Sequence, residues 1–172
     1  MTTPPAPLFR RLLAATALTV GLLAGVFATA PASATPSEST GTRATAETMT
    51  RNQSIVVGQI NKTRTNNGRR AIDTNGLMNQ RAMKWAEHLA SCQCLEHRTP
   101  PYGVTRGWCA AAENVGRSGN GGTLGAVHEA FMRSSGHKAN ILRRGWSDLG
   151  VGVARDRAGE YFVVHVFADY TC

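Results

Sequence analysis

The sequence predicts an α+β domain of about four helices around a small three-stranded antiparallel sheet. Two observations carry this. Apolar residues recur at helical spacing in four stretches up to Leu142, whereas the C-terminal part runs as apolar, β-branched and aromatic segments of strand type around a polar turn. With 172 residues, 42% of them apolar, the chain can bury one core of ordinary size, and a second domain is not expected.

The N-terminal part lies outside that domain. Arg10 and Arg11 precede the uncharged run LLAATALTVGLLAGVFATA, and Ala32, Ser33 and Ala34 supply the small-residue pattern after which a signal peptidase cuts. Residues 1–34 are therefore expected to be a signal peptide and the chain to be exported, secreted or held at the cell envelope. The apolar run is nearly long enough to span a bilayer, so an uncleaved anchor is the competing expectation. The residues around the arginine pair add nothing to a twin-arginine reading. Residues 35–48, beginning TPSESTGTRATAE, are rich in Ser, Thr and Pro with no apolar period, and a flexible leader is expected there.

The domain itself is expected over residues 49–172. Met49, Val56, Ile60 and Thr63 mark a first helix that ends at NNG, where Gly68 can take the left-handed conformation. A second helix follows Asn75, a candidate N-cap, with Met78, Ala82, Trp85, Ala86 and Leu89 on one stripe. The segment LEHRTPPYGVTRGW, with two prolines, two glycines and no period, is expected to be a loop, and it carries His97. AAAENVG is too short for a helix before the glycines that follow and fits a brief strand. Leu124, Val127 and Phe131 mark a third helix, and HKANIL a short fourth one capped by Ser134 or Ser135. DLGVGVARD and EYFVVHVFADY, joined through RDRAGE, read as an antiparallel hairpin.

Removal of residues 1–34 would take away Arg10 and Arg11 and no acid, lowering the formal charge from +8 to +6. A basic exported protein is attracted to anionic glycans, teichoic acids or lipid head groups through a screened, sequence-blind term, although such a charge also serves solubility alone. Without a long Lys/Arg block interleaved with aromatic residues, nucleic acid is not the expected partner. The four cysteines, Cys92, Cys94, Cys109 and Cys172, imply two disulfides in an oxidising compartment. Pairing Cys92 with Cys94 would close a very small ring, which leaves two pairings. Cys94 with Cys109 and Cys92 with Cys172 is the expected one. A C-x-C with a distant cysteine as a zinc site is the alternative.

Glu113 is the residue that most needs explaining, because a carboxylate in an apolar strand is costly unless donors or a cation meet it. His97 and His137 lie on a loop and at a helix start, where side chains converge; His88 reads as solvent-facing and His165 as part of the last strand. Two imidazoles and a carboxylate can hold zinc with open positions for water, or a general acid and base. The plainer reading is that Glu113 and His137 cross-link sheet and helices by hydrogen bonds. HEAFM, at His128 to Met132, opens like a metalloprotease helix, but Met132 stands where the second histidine is required, so that motif is absent.

Taken together, INKTRTNNG, GLMNQRAMKWAEHLA, a loop histidine, AENVG, SSGHKANIL, LGVGVA and YFVVHVFA resemble the ordered blocks of the CAP superfamily over about residues 49–169. This SCP-like extracellular family includes cysteine-rich secretory proteins, antigen-5 and plant pathogenesis-related-1 proteins, and the likeness is to its short bacterial secreted members. The resemblance implies an α-β-α sandwich with a central cleft lined by two histidines and two acids. Here His97 matches the first histidine, Glu113 the glutamate of the EN strand and His137 the second histidine. The fourth position departs: Phe131 replaces a tryptophan, Ser134 stands in place of the second acid, and Glu129 is off register. Asn114, Gly136 and Asn140 belong to the same cleft-forming blocks. The resemblance further implies a divalent-cation site, with zinc suited to two neutral imidazoles.

These residues lead to three expectations. The first is a secreted, monomeric, non-enzymatic binding protein whose cleft takes Zn2+ on His97 and His137, with a lipid, glycan, peptide or anionic envelope polymer as ligand. It draws support from the missing nucleophile, since no Ser or Cys has a base-and-orienter arrangement. The second is a zinc-assisted extracellular hydrolase with Glu113 as general base. The third is a disulfide-stapled interaction domain whose polar cluster is structural. After signal cleavage no membrane span is expected.

Overall fold

A computed structural model of the protein describes residues 49–172, so the signal-peptide and leader expectations for residues 1–48 lie outside the described residues. The order of elements is α1 (Arg51–Asn66), β1 (Asp73–Thr74), α2 (Gly76–Cys92), β2 (Ala110–Arg117), α3 (Leu124–Arg133), α4 (Ser135–Leu142), β3 (Asp148–Arg155) and β4 (Tyr161–Asp169). Each helix starts where a side chain can satisfy its free N–H groups: Thr50 forms a capping box with Gln53, and Asn75, Thr123 and Ser134 accept from the third residue beyond them. Gly68, just past α1, takes φ +65°.

The sheet corrects the three-stranded antiparallel expectation. It has four strands in the order β1-β3-β4-β2; β2 and β3 pair antiparallel with β4, and the two-residue β1 pairs parallel with β3 through Asp73↔Asp148 and Thr74↔Leu149. Two residues carry no alternation, so β1 left no periodic signal to read. Beyond β1 the outer edge of β3 is met by buried side chains instead. Gln53 Nε2 donates to the Val151 carbonyl at 2.7 Å, and the Val151 N–H donates to Asn79 Oδ1 at 2.9 Å.

Both faces of the sheet are covered. On one, Val56, Ile60, Val127, Phe131 and Ile141 of α1, α3 and α4 pack with Leu149, Val151, Val163 and Phe167. On the other, Met78, Ala82, Ala86 and Leu89 of α2 pack with Phe162, Val164, Val166 and Ala168. Alternate residues of β4 thus feed the two half-cores. The glycines of LGVGVA let α2 lie directly on β3: a Cβ at Gly150 would fall 2.6 Å from Met78 Cβ, and one at Gly152 would collide with the Ala82 carbonyl. Buried Arg64 fastens the end of α4, donating from Nη1 to the carbonyls of Ile141 (2.7 Å) and Arg143 (3.0 Å). Among the described residues no helix is long and apolar enough to cross a membrane.

The expected cysteine pairing is also corrected, since the bonds join Cys92 to Cys94 and Cys109 to Cys172 rather than Cys94 to Cys109 and Cys92 to Cys172. Sheet register accounts for one bond. Cys109 precedes β2 and Cys172 follows β4, and the pairing of Ala110 with Asp169 brings their Cα atoms to 5.9 Å. Backbone reversal accounts for the other: Gln93, at φ 54°, turns the chain as α2 ends and leaves the Cα atoms of Cys92 and Cys94 5.2 Å apart. The loop expected to be tied by Cys94 and Cys109 is held by polar contacts, among them Arg81 Nη1 to the Gly103 carbonyl (2.8 Å) and Thr105 Oγ1 with the Tyr170 hydroxyl (2.7 Å).

Candidate functional site

Glu113 points from β2 into a fully enclosed position, with its side chain 0% exposed. Its donors come from the loop after α2. His97 Nδ1 lies 3.0 Å from Oε1, the Arg98 backbone N–H donates to the same oxygen at 3.1 Å, and Arg98 Nε donates to Oε2 at 3.4 Å. Arg98 thus supplies the cation that a buried carboxylate demands, and sequence reasoning missed it, although its place beside His97 was the available signal. The guanidinium is anchored in turn by donating to the carbonyls of Arg81 and Tyr102.

An ionised carboxylate only accepts, so the contact assigns the proton of His97 to Nδ1 and leaves the lone pair of a neutral ring on Nε2. The His97 side chain is 55% exposed, so that nitrogen is available to a ligand. His137 stands in the first turn of α4, its ring edge against Phe131 with centroids 4.9 Å apart. Burial first, and then the neighbouring His97, push its pKa below the usual imidazole value, which keeps it neutral and able to ligate.

A set of amides brings these elements together. Asn114 Nδ2 donates to the His137 carbonyl at 3.2 Å, while Asn140 Nδ2 donates to Asn114 Oδ1 at 2.9 Å and to the Glu113 carbonyl at 3.5 Å. Trp146 Nε1 donates to the Asn140 carbonyl at 2.7 Å. Asn114 and Asn140 therefore clamp the helix carrying His137 onto the strand carrying Glu113. Ser134, in place of the second acid, accepts from the His137 N–H at 3.5 Å as the N-cap of α4. Gly136 is exposed with open space around it and contacts nothing at the site.

The carboxylate does not complete a three-ligand set. Among the described residues, the group of three metal-ligating side chains whose ligand atoms all lie within 4.8 Å of one another is His88, Cys92 and Cys94, not His97, Glu113 and His137. His97 and His137 each offer an imidazole nitrogen, with Glu113 behind His97 as the group that orients it. His165, expected in the last strand, is 1% exposed beneath this region, its ring 4.7 Å from that of Phe131. Burial above all lowers its pKa to about 3. A cavity of about 600 Å³ lies elsewhere, lined by Glu87, Ala90, Ser91, Gln93 and the end of β3, and none of His97, Glu113 or His137 borders it.

Several solved structures share the fold. The chain superposes on an outer surface protein from Borrelia burgdorferi with a TM-score of 0.58 at 16% identity, covering 69% of this chain and 92% of that one. Venom allergen-like protein 4 from Schistosoma mansoni gives a TM-score of 0.59 at 12% identity, with 70% and 90% covered. An extracellular protein containing a SCP domain from Bacillus anthracis gives 0.56 at 19% identity over 69% of this chain, which spans only 40% of that longer protein. No curated protein matches the chain. The model of the cysteine-rich secretory protein family, CAP, matches residues 57–168. The chain, with its helices on both faces of a four-stranded mixed sheet, belongs to the cysteine-rich secretory protein family.

Proposed function

We propose that the protein is an exported CAP-domain binding protein whose cleft holds a divalent metal, best Zn2+, on His97 Nε2 and a ring nitrogen of His137, and offers the remaining coordination positions to a ligand. The observation that carries this reading is the 3.0 Å contact between His97 Nδ1 and the enclosed Glu113 carboxylate. A carboxylate behind an imidazole fixes its tautomer and orientation and strengthens its other nitrogen as a donor. His137, kept neutral by burial and by His97, supplies the second soft-to-borderline donor. Zinc so held would act as a Lewis acid or a simple electrostatic anchor for an anionic or carbonyl-bearing group, such as a lipid head group, glycan carboxylate, peptide or envelope polymer. The formal charge of +6 that remains once residues 1–34 are removed favours anionic partners of that kind.

The hydrolase alternative fares worse on the same geometry. Both carboxylate oxygens of Glu113 already accept hydrogen bonds and the side chain has no solvent access, so it is poorly suited to take a proton from a metal-bound water. The A-x-A pattern of residues 32–34 supports the export in this reading. Zinc titration by calorimetry tests the site: heat from a single site that His97→Ala and His137→Ala each remove supports it, and heat unchanged in both variants overturns it. Turnover of a peptide, ester and glycan panel that Glu113→Gln abolishes would instead favour the hydrolase.

A further inference from the structure

The end of α2, beside the loop that carries His97, presents a second set of metal-ligand chemistry. His88 and Cys92 are four residues apart and therefore share a helix face. Gln93 then turns the backbone at φ 54°, so that Cys94 comes back beside Cys92 instead of continuing away. The ring nitrogen and two sulfurs lie within 4.8 Å of one another, and His88 and Cys92 are exposed. His88 is itself held in place: its ring stacks on Trp85 at 4.7 Å, and Nε2 lies 3.2 Å from Glu96 Oε1. With Nε2–H donating to that carboxylate, the lone pair of the neutral ring sits on Nδ1, as at a metal-bound histidine backed by an acid.

We propose that the Cys92–Cys94 disulfide is the closed form of a redox-gated metal site: reduced, Cys92, Cys94 and His88 bind a thiophilic d10 ion, Zn2+ or Cu+, and a disulfide oxidant, which takes two electrons from the thiolates and leaves as its dithiol, closes the bond and releases the ion. Opening requires a dithiol or phosphine reductant. A dithiol thiolate attacks one sulfur, the Cys92–Cys94 bond breaks, and the mixed disulfide is resolved by the reductant's second thiol. Two electrons pass to the pair, and the reductant leaves as its own disulfide. The ion then displaces the two thiol protons to solvent and takes the Nδ1 lone pair. Ligands about 2.0–2.3 Å from zinc sit roughly 3.3–3.8 Å apart in a tetrahedron, so the two sulfurs must part on reduction before both can reach one ion. Water completes the coordination. The cleft proposed for His97 and His137 plays no part in this.

The test uses the chain in a His97→Ala/His137→Ala background, so that success or failure at the cleft does not register. Co2+ is titrated under argon before and after phosphine reduction, followed by Zn2+ displacement and, in a parallel arm, by Cu+ competition with a chromogenic chelator. Expected are a sulfur-to-cobalt charge-transfer band in the reduced chain alone, saturating at a single Co2+ per chain. Cys92→Ser/Cys94→Ser removes it, and His88→Ala weakens binding by at least about tenfold, a change readily resolved as an affinity difference. Because reduction also opens Cys109–Cys172, the Cys109→Ser/Cys172→Ser chain is expected to give the same band; should that variant not fold, the Cys92→Ser/Cys94→Ser comparison in the otherwise intact reduced chain decides. A reduced chain without the band, a band that survives Cys92→Ser/Cys94→Ser, or unchanged affinity in His88→Ala overturns the proposal.

Discussion

His97 Nδ1 meets Glu113 Oε1 at 3.0 Å across the joint between an irregular loop and the edge strand β2, with the carboxylate wholly enclosed and the imidazole half in solvent. One partner is thereby fixed by the fold and the other is presented by it. Arg98 makes the arrangement affordable, since its backbone N–H and its guanidinium both donate to the same carboxylate. Glu113→Gln keeps the shape but removes the charge that Arg98 was paired with. A loss of about 2–3 kcal/mol in urea unfolding is expected, together with weaker zinc binding. Equal stability in the variant and the parent would mean that the ion pair does not hold the loop to the strand.

The docking of α2 on β3 depends on two missing side chains. Gly152→Ala places a methyl group against the Ala82 carbonyl, and a backbone contact cannot yield as a flexible side chain would. About 3 kcal/mol of destabilisation, the upper end for an inserted methyl group, is expected. Gly136→Ala is the control: nothing lies within 4 Å of its would-be Cβ, and a helical Ala is better than Gly by up to about 1 kcal/mol. Thermal melts of the pair should move in opposite directions.

Acid should destabilise the domain through its buried histidines. His165, with a pKa of about 3 in the folded chain against 6.5 ordinarily, refuses a proton that the unfolded chain accepts. Its contribution is complete above pH 6.5 and is lost as pH falls from there toward 3, at about 1.4 kcal/mol per pH unit. His128 and His137, also lowered by burial, add in the same direction below 6.5. Urea midpoints measured between pH 7.5 and 4.5 should fall steadily, and His165→Leu should flatten the slope. A slope that His165→Leu leaves untouched would contradict this assignment.

A peptide map under non-reducing conditions should recover Cys92 with Cys94 and Cys109 with Cys172. The second bond closes a loop with a sequence separation of 63, so Cys109→Ser/Cys172→Ser is expected to cost on the order of 4 kcal/mol in the chain-entropy account. Recovery of Cys94 linked to Cys109 would overturn the pairing.

Much of this architecture was legible because it is periodic or capped. Asn75 and Ser134 announce α2 and α4, Gly68 closes α1, and the hairpin runs apolar on either side of RDRAGE. What escaped depends on contacts distant in sequence or too short to repeat. Asp73 and Thr74 form a strand only because β3 lies beside them. The Cys109–Cys172 bond follows from the register of β2 on β4, which no spacing reveals. Cys92–Cys94 looked too small a ring until the left-handed turn at Gln93 was seen. At the site, His97, Glu113 and His137 were named from residue type and resemblance, whereas the cation answering Glu113, Arg98, and the clamping roles of Asn114 and Asn140 required side-chain geometry. Ser134 illustrates both sides: its capping role was readable, and that role is what the position does in place of a second acid.

The most direct test of the cleft reading is anomalous diffraction at the zinc edge from crystals of the oxidised chain grown with stoichiometric Zn2+. The account predicts a peak about 2.0–2.1 Å from His97 Nε2 and from a ring nitrogen of His137, with Glu113 still bonded to His97 Nδ1 and outside the coordination shell. A cleft without a peak, with His97 and His137 free of any ion, would contradict it.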